Sequence, residues 1–93
     1  MFEEHLKRIQ DKIRRGEYIM TLHAEDEMSD DGYTIYDIEN GLLSGTIIER
    51  QKDAHSGEWK YLIRGNALEK GEIEMVVKFG PTDKVVIVTV YAP

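Results

Sequence analysis

Glu72-Ile73-Glu74-Met75-Val76-Val77-Lys78-Phe79 alternates along its length, with Ile73, Met75, Val77 and Phe79 on one side and Glu74, Val76 and Lys78 on the other. Such a period of two belongs to a half-buried strand. The preceding run Trp59-Lys60-Tyr61-Leu62-Ile63-Arg64 repeats the pattern, placing Trp59, Tyr61 and Ile63 with the apolar set and Lys60, Leu62 and Arg64 with the polar one. Thr46–Gln51 and Val85–Tyr91 are rich in β-branched residues and supply two more strands, so four are expected at about 46–51, 59–64, 72–79 and 85–91. Short turn-bearing segments, Asp53–Gly57, Gly65–Gly71 and Gly80–Lys84, separate the four, and no crossover helix lies among them, which predicts antiparallel pairing. Val85–Tyr91 is apolar on both sides. Burying Val86, Val88 and Val90 leaves Thr89 and Tyr91 on the open face, where their hydroxyls need no buried partner.

Upstream of Gly45 the period is helical. Phe2, Leu6, Ile9 and Ile13 form one stripe of a helix over about 2–15, which Gly16 stops. Thr21 is placed to cap a second helix to about Ser29. Thr34 with Asp37 reads as the cap of a third, over about 34–44, with Ile35, Ile38 and Leu42 as its apolar face. Helices first and strands afterwards define an α+β fold, a single domain over 1–93 with N-terminal helices on one face of a four-stranded antiparallel sheet.

The chain has 93 residues, 41% of them hydrophobic and 32% charged, which suits one core and leaves no room for separate cofactor and substrate lobes. Absence of Cys removes disulfides, thiolate zinc sites and cysteine nucleophiles, and fits a reducing cytoplasm. Neither a membrane-length apolar run nor a signal-like N-terminus is present, so a cytoplasmic protein without membrane contact is expected. The net charge of −6 lies wholly in residues 1–45, which hold eleven acids and five bases, whereas 46–93 hold seven of each. Glu25, Asp26, Glu27, Asp30, Asp31, Asp37 and Glu39 share one window without a Lys or Arg. That band is either a solvated helical surface or a docking surface for a basic partner, formed by Glu25, Asp26, Glu27, Asp30 and Asp31.

Two groupings carry chemistry. On the open sheet face Arg64, Lys78, Thr89 and Tyr91 combine two cations with two hydroxyls, and Lys60 adds a third cation. Lys60, Arg64 and Lys78 suit RNA phosphates, and the set as a whole suits cleavage by the internal 2′-hydroxyl without metal or cofactor. The plainer alternative makes Arg64, Lys78 and Glu74 a cross-strand ion-pair set, with Tyr91 covering the core edge. His23, near the start of the second helix, is a general acid or base, or else a helix-start histidine satisfied by a neighbour. His23 and Glu27 lie one helical turn apart with Asp30 nearby, but no second histidine completes a zinc motif. Calcium loops, glycine-rich phosphate loops and nucleophile elbows are likewise not found in the sequence.

Thr21-Leu22-His23-Ala24-Glu25-Asp26-Glu27-Met28, followed by Asp31-Gly32-Tyr33-Thr34 and Asp37-Ile38, resembles the opening of the family called domain of unknown function 4258. Gly45 before Ile47-Ile48-Glu49, the strand Tyr61-Leu62-Ile63-Arg64-Gly65, the segment Val76-Val77-Lys78 and the closing Ile87-Val88-Thr89-Val90-Tyr91 continue the resemblance over about residues 18–91. That family is similar to RelE-like and BrnT-like small toxins. The resemblance implies a RelE-like fold, RNA cleavage, and a zinc-finger antitoxin as partner. It matches His23 to the family histidine, Arg64 and Lys78 to cationic strand positions, and Thr89 and Tyr91 to the terminal strand. Many members carry arginines where this chain has Glu27 and Asp31, so any duty of those arginines is absent here. Two expectations follow: a metal-independent toxin ribonuclease restrained by an antitoxin, or a catalytically silent interaction domain that binds a basic partner through its acidic helices.

Overall fold

The stripe Leu6, Ile9, Ile13 does what its spacing predicts. In the computed structural model, which describes residues 2–93, helix α1 spans Glu3–Arg14 and buries Ile9 and Ile13 against the sheet. Gly16, at φ 71°, ends it: Glu17 N–H donates to the Lys12 carbonyl at 2.9 Å and Gly16 N–H to that of Ile13 at 3.1 Å, the paired closure that a left-handed residue permits. Helix α2 (Leu22–Asp30) starts at Thr21, whose hydroxyl accepts from Ala24 N–H at 3.1 Å. Helix α3 (Ile35–Ser44) starts with a complete capping box between Thr34 and Asp37. No helix among the described residues is long and apolar enough to cross a membrane.

The sheet departs from expectation in size and in sense. It has five strands, β1 (Tyr18–Met20), β2 (Thr46–Lys52), β3 (Trp59–Asn66), β4 (Glu72–Phe79) and β5 (Val85–Tyr91), in the order β1-β5-β4-β3-β2. β1 pairs parallel to β5 through Tyr18↔Val85, Ile19↔Val86 and Met20↔Ile87, so the sheet is mixed rather than four-stranded and antiparallel. Three residues are too few to display an alternating period, which is why β1 hides between two helices. Its presence also explains the composition of β5. A strand flanked on both edges lies inside the sheet, and here Val85, Val86, Ile87 and Val90 are all buried.

The phase of β5 is corrected by a bulge. Val76 pairs with Thr89 and Val77 with Ile87, which leaves Val88 as an extra residue on β5. Before the bulge Val85 and Ile87 face the helices. After it Val90 does, while Thr89 and Tyr91 point to the open side as expected. The expected inward set Val86, Val88 and Val90 is thus right only for Val90: Val86 lies opposite Lys78, and Val88 is the bulge itself. Trp59 is a second correction. It keeps phase with Tyr61 and Ile63, but the strand has run past the helices there, and Trp59 is 42% exposed.

Helix α3 sits on β3 and β4 through a glycine contact. A Cβ on Gly65 would stand 1.9 Å from the carbonyl oxygen of Gly41, and one on Gly41 would stand 2.6 Å from Ile73 Cγ2. Backbone cannot yield to that overlap without α3 lifting off Ile63, Ile73 and Met75. Gly65→Ala should therefore cost about 3 kcal/mol or more in denaturant unfolding. A variant within about 1 kcal/mol of wild type would show that α3 is not seated through this contact.

Candidate functional site

Because β3, β4 and β5 pair in register, alternate residues meet in rungs across the helix-free face. Arg64, Glu74 and Tyr91 form one rung, and Leu62, Val76 and Thr89 the next. Lys60 lies beyond Leu62 on β3, opposite Gln51 of β2, and Lys78 lies beyond Val76 on β4, opposite Val86. Arg64, Lys78, Thr89 and Tyr91 thus share one side of the sheet, with Lys60 beside them. Glu49, Gln51, Lys60, Leu62, Val76 and Tyr91 enclose a shallow depression of about 180 Å³ there.

The rung at Arg64 is tightly bound. Arg64 donates to Glu74 Oε2 from Nε at 2.7 Å and from Nη2 at 2.6 Å, which leaves Nη1 on a side chain 46% exposed. Glu74 is only 5% exposed, and bonding to Arg64 first, then to Tyr91, holds its carboxyl below the usual range against the opposing effect of burial. Burial, followed by the Glu74 hydrogen bond, pushes the Tyr91 phenol up. Near neutral pH the rung therefore holds an ionised carboxylate, a guanidinium and a protonated phenol. Glu74 was visible in the sequence as a charge opposite Arg64; its burial was not, because alternation does not show what the neighbouring strands cover.

The other two cations are paired as well. Lys78 Nζ lies 3.0 Å from Glu58 Oε1, and Lys60 Nζ lies 3.0 Å from Asp53 Oδ2. Asp53 and Glu58 belong to the β2–β3 hairpin. Asp53 Oδ1 accepts from Ser56 and His55 N–H, and these bonds with the Lys60 contact hold the Asp53 carboxyl far below its ordinary value.

His23 is not brought to this face. It stands on α2 with Nε2 3.2 Å from Glu27 Oε1, and the same oxygen accepts from Val90 N–H at 3.1 Å. Glu27 therefore satisfies the edge of β5 beyond the end of β1. Three acids of the band turn out to have structural work: Glu27 there, Glu39 accepting from the Tyr18 hydroxyl at 2.5 Å, and Asp37 binding Thr34 and Leu68 N–H at 2.8 and 2.9 Å. Glu25, Asp26, Asp30 and Asp31 remain as exposed surface. Among the described residues no group of three or more His, Asp or Glu gathers as a metal site.

The rung makes a definite pH prediction. Glu74 has a folded pKa below its ordinary 4.5, so its pairing stabilises fully above that value and is lost as pH falls through the folded pKa. Glu74→Gln should shrink this acid-side loss. It should also bring Tyr91 back toward its usual value near 10, read as tyrosinate absorbance against a Tyr91→Phe control. An unmoved Tyr91 titration would mean that the phenol does not bind this carboxylate.

No curated protein and no solved structure matches the chain. The sequence profile described as Domain of unknown function (DUF4258) matches residues 20–92, a span running from the end of β1 through α2, α3 and the rest of the sheet, with α1 outside it. On that match, which takes in every residue of the open-face site, the chain belongs to the DUF4258 family.

Proposed function

We propose that the chain is a toxin-like endoribonuclease of the cytoplasm, related in fold and activity to the RelE-like and BrnT-like toxins, and restrained by a zinc-finger antitoxin. The observation that carries this reading is the rung of Arg64, Glu74 and Tyr91 on a sheet face that no helix covers, beside a depression lined by Lys60. The chemistry is transesterification within the RNA, and it needs neither metal nor cofactor. The 2′-hydroxyl oxygen attacks the adjacent phosphorus and its proton passes to the Glu74 carboxylate. The bond from phosphorus to the 5′-oxygen breaks, and that oxygen takes the Tyr91 proton, leaving a 2′,3′-cyclic phosphate and a 5′-hydroxyl. Arg64 Nη1 is the donor for the phosphorane oxygens, fixed in direction because Nε and Nη2 are held by Glu74. Thr89, one rung away, offers a hydroxyl to the same phosphate. Lys78 and Lys60 hold flanking phosphates. His23 has no part in this reaction scheme.

A second reading draws on another observation. Lys60, Arg64 and Lys78 each have a carboxylate partner, while Glu25, Asp26, Asp30 and Asp31 project from α2 and its end without a base among them. A catalytically silent domain that docks a basic protein on those acids is consistent with that charge pattern.

Induced expression without an antitoxin separates the two. Wild type should arrest growth and leave RNA fragments with cyclic phosphate ends. Arg64→Ala and Tyr91→Phe, both folded, should cut purified RNA about 100-fold more slowly. Intact RNA and normal growth with soluble, folded wild type would overturn the nuclease and leave the docking domain.

A further inference from the structure

The open face does not hold the only cations near this site. Arg50 and Lys52 lie on β2, opposite Tyr61 and Trp59, and so point to the helix side of the sheet, beside the start of α1. Unlike Lys60, Arg64 and Lys78, neither forms an ion pair among the described residues. They gather instead on an aromatic surface. The Arg50 guanidinium carbon stands 4.1 Å from the centre of the Trp59 ring and 5.5 Å from that of Phe2, and Lys52 Nζ stands 5.7 Å from Trp59. The guanidinium covers one face of the indole, and the residue is still 42% exposed. This indole is the only one in the chain.

The position matters as much as the composition. β2 is the terminal strand and pairs only with β3, so its outer edge is unpaired. Glu49 and Gln51 of the same strand face the depression on the open side, whereas Arg50 and Lys52 face the other way. The Trp59 platform and the depression therefore lie on opposite sides of β2 and β3, with the Arg64 rung further along β3. The adjoining hairpin is stiffened by Asp53, which accepts from His55 and Ser56 N–H, and by Asp53 N–H, which donates to the Glu58 carbonyl at 2.7 Å.

We propose that Trp59, Arg50 and Lys52 form a base-stacking and phosphate-holding subsite for single-stranded RNA, which crosses the free β2 edge to reach the open face. The inference rests on the ribonuclease reading and deepens it by naming a substrate class. Planar faces of an indole and a guanidinium accept any nucleobase, and two uncompensated cations accept the phosphates between bases. A paired, A-form helix offers no unstacked base to such a platform. Local charge makes the site workable in a chain of net charge −6, because two cations that no carboxylate compensates stand beside one indole here.

The lone tryptophan makes the test direct. A short single-stranded oligoribonucleotide carrying 2′-O-methyl sugars throughout has no attacking hydroxyl, so it reports binding without cleavage. It should quench Trp59 fluorescence saturably, with log K falling against log salt at a slope of about −1.4, as two phosphate contacts on a single strand require. Arg50→Gln with Lys52→Gln should weaken binding about tenfold at unchanged thermal stability. Trp59→Ala, followed by anisotropy of a labelled oligonucleotide, should do the same. A blunt duplex of the same sequence should bind more weakly than the single strand. No quenching by the oligonucleotide, or quenching only by an acidic peptide, overturns the subsite. Cleavage of a dinucleotide by wild type, together with unaltered oligonucleotide affinity in the double variant, overturns the subsite while the rung chemistry stands. Binding that depends on Arg50 and Lys52 in a protein that cleaves nothing keeps the subsite and removes the nuclease.

Discussion

Val88 is the residue by which β5 exceeds β4, and the position of every functional side chain on the last strand follows from it. Without the extra residue, the alternation that buries Val85 and Ile87 would carry Thr89 and Tyr91 beneath the helices, and Val90 would point to water. The bulge is held from outside the sheet by Thr21. Its backbone N–H donates to the Ile87 carbonyl at 3.0 Å, and its hydroxyl donates to the Val88 carbonyl at 3.1 Å while accepting from Ala24 N–H. One threonine thus ends the parallel pairing, takes up the bulged carbonyl and starts α2. The Tyr91–Glu74–Arg64 rung exists because that junction resets the strand's phase.

The same junction makes the two edges of the sheet unequal. β1 covers β5 for three residues, after which Thr21 binds Val88 and Glu27 binds Val90 N–H, so α2 closes what β1 leaves open. At the far edge β2 is exposed from Ile48 to Lys52 and carries its own bulge between Ile47 and Glu49. At the β5 edge Glu27 acts as an acceptor. A guanidinium has only donors and could not accept from Val90 N–H, so in this chain the carboxylate gives α2 a sealing contact that arginine could not make in the same way.

Much of this was legible in the sequence wherever the signal was local. The Thr21 and Thr34 caps, the stop at Gly16 and the alternation of β3 and β4 come from neighbours within four residues, and the structure keeps them. What was not legible depends on distant partners. β1 is a strand only because β5 lies beside it. Trp59 is exposed because the helices end short of it, which no alternation reveals. Glu39 looked like surface charge, yet it accepts from the Tyr18 hydroxyl, and Asp37, expected as part of the Thr34 cap, also accepts from Leu68 N–H of the β3–β4 connection. The open-face set was readable because β3 and β4 hold strict register through Arg64↔Glu74 and Leu62↔Val76.

Paired cations on a site proposed to take phosphate pose an apparent conflict, and magnitudes resolve it. Lys78 with Glu58 and Lys60 with Asp53 are contacts at the rim of a hairpin, with side chains 24–38% exposed. Rim pairs of this kind are worth about 1 kcal/mol or less, so an arriving phosphate can replace the carboxylate at small cost. Arg64 is different. Its partner Glu74 is nearly buried and has no water to return to, so the pair does not exchange for phosphate. Mobile cations suit binding along a strand of variable sequence, and a fixed guanidinium suits a charge that develops at one point. Under the proposed nuclease reading, the division between exposed and buried partners would leave Lys60 and Lys78 to hold the RNA and Arg64 to meet the reacting phosphate with its one remaining nitrogen.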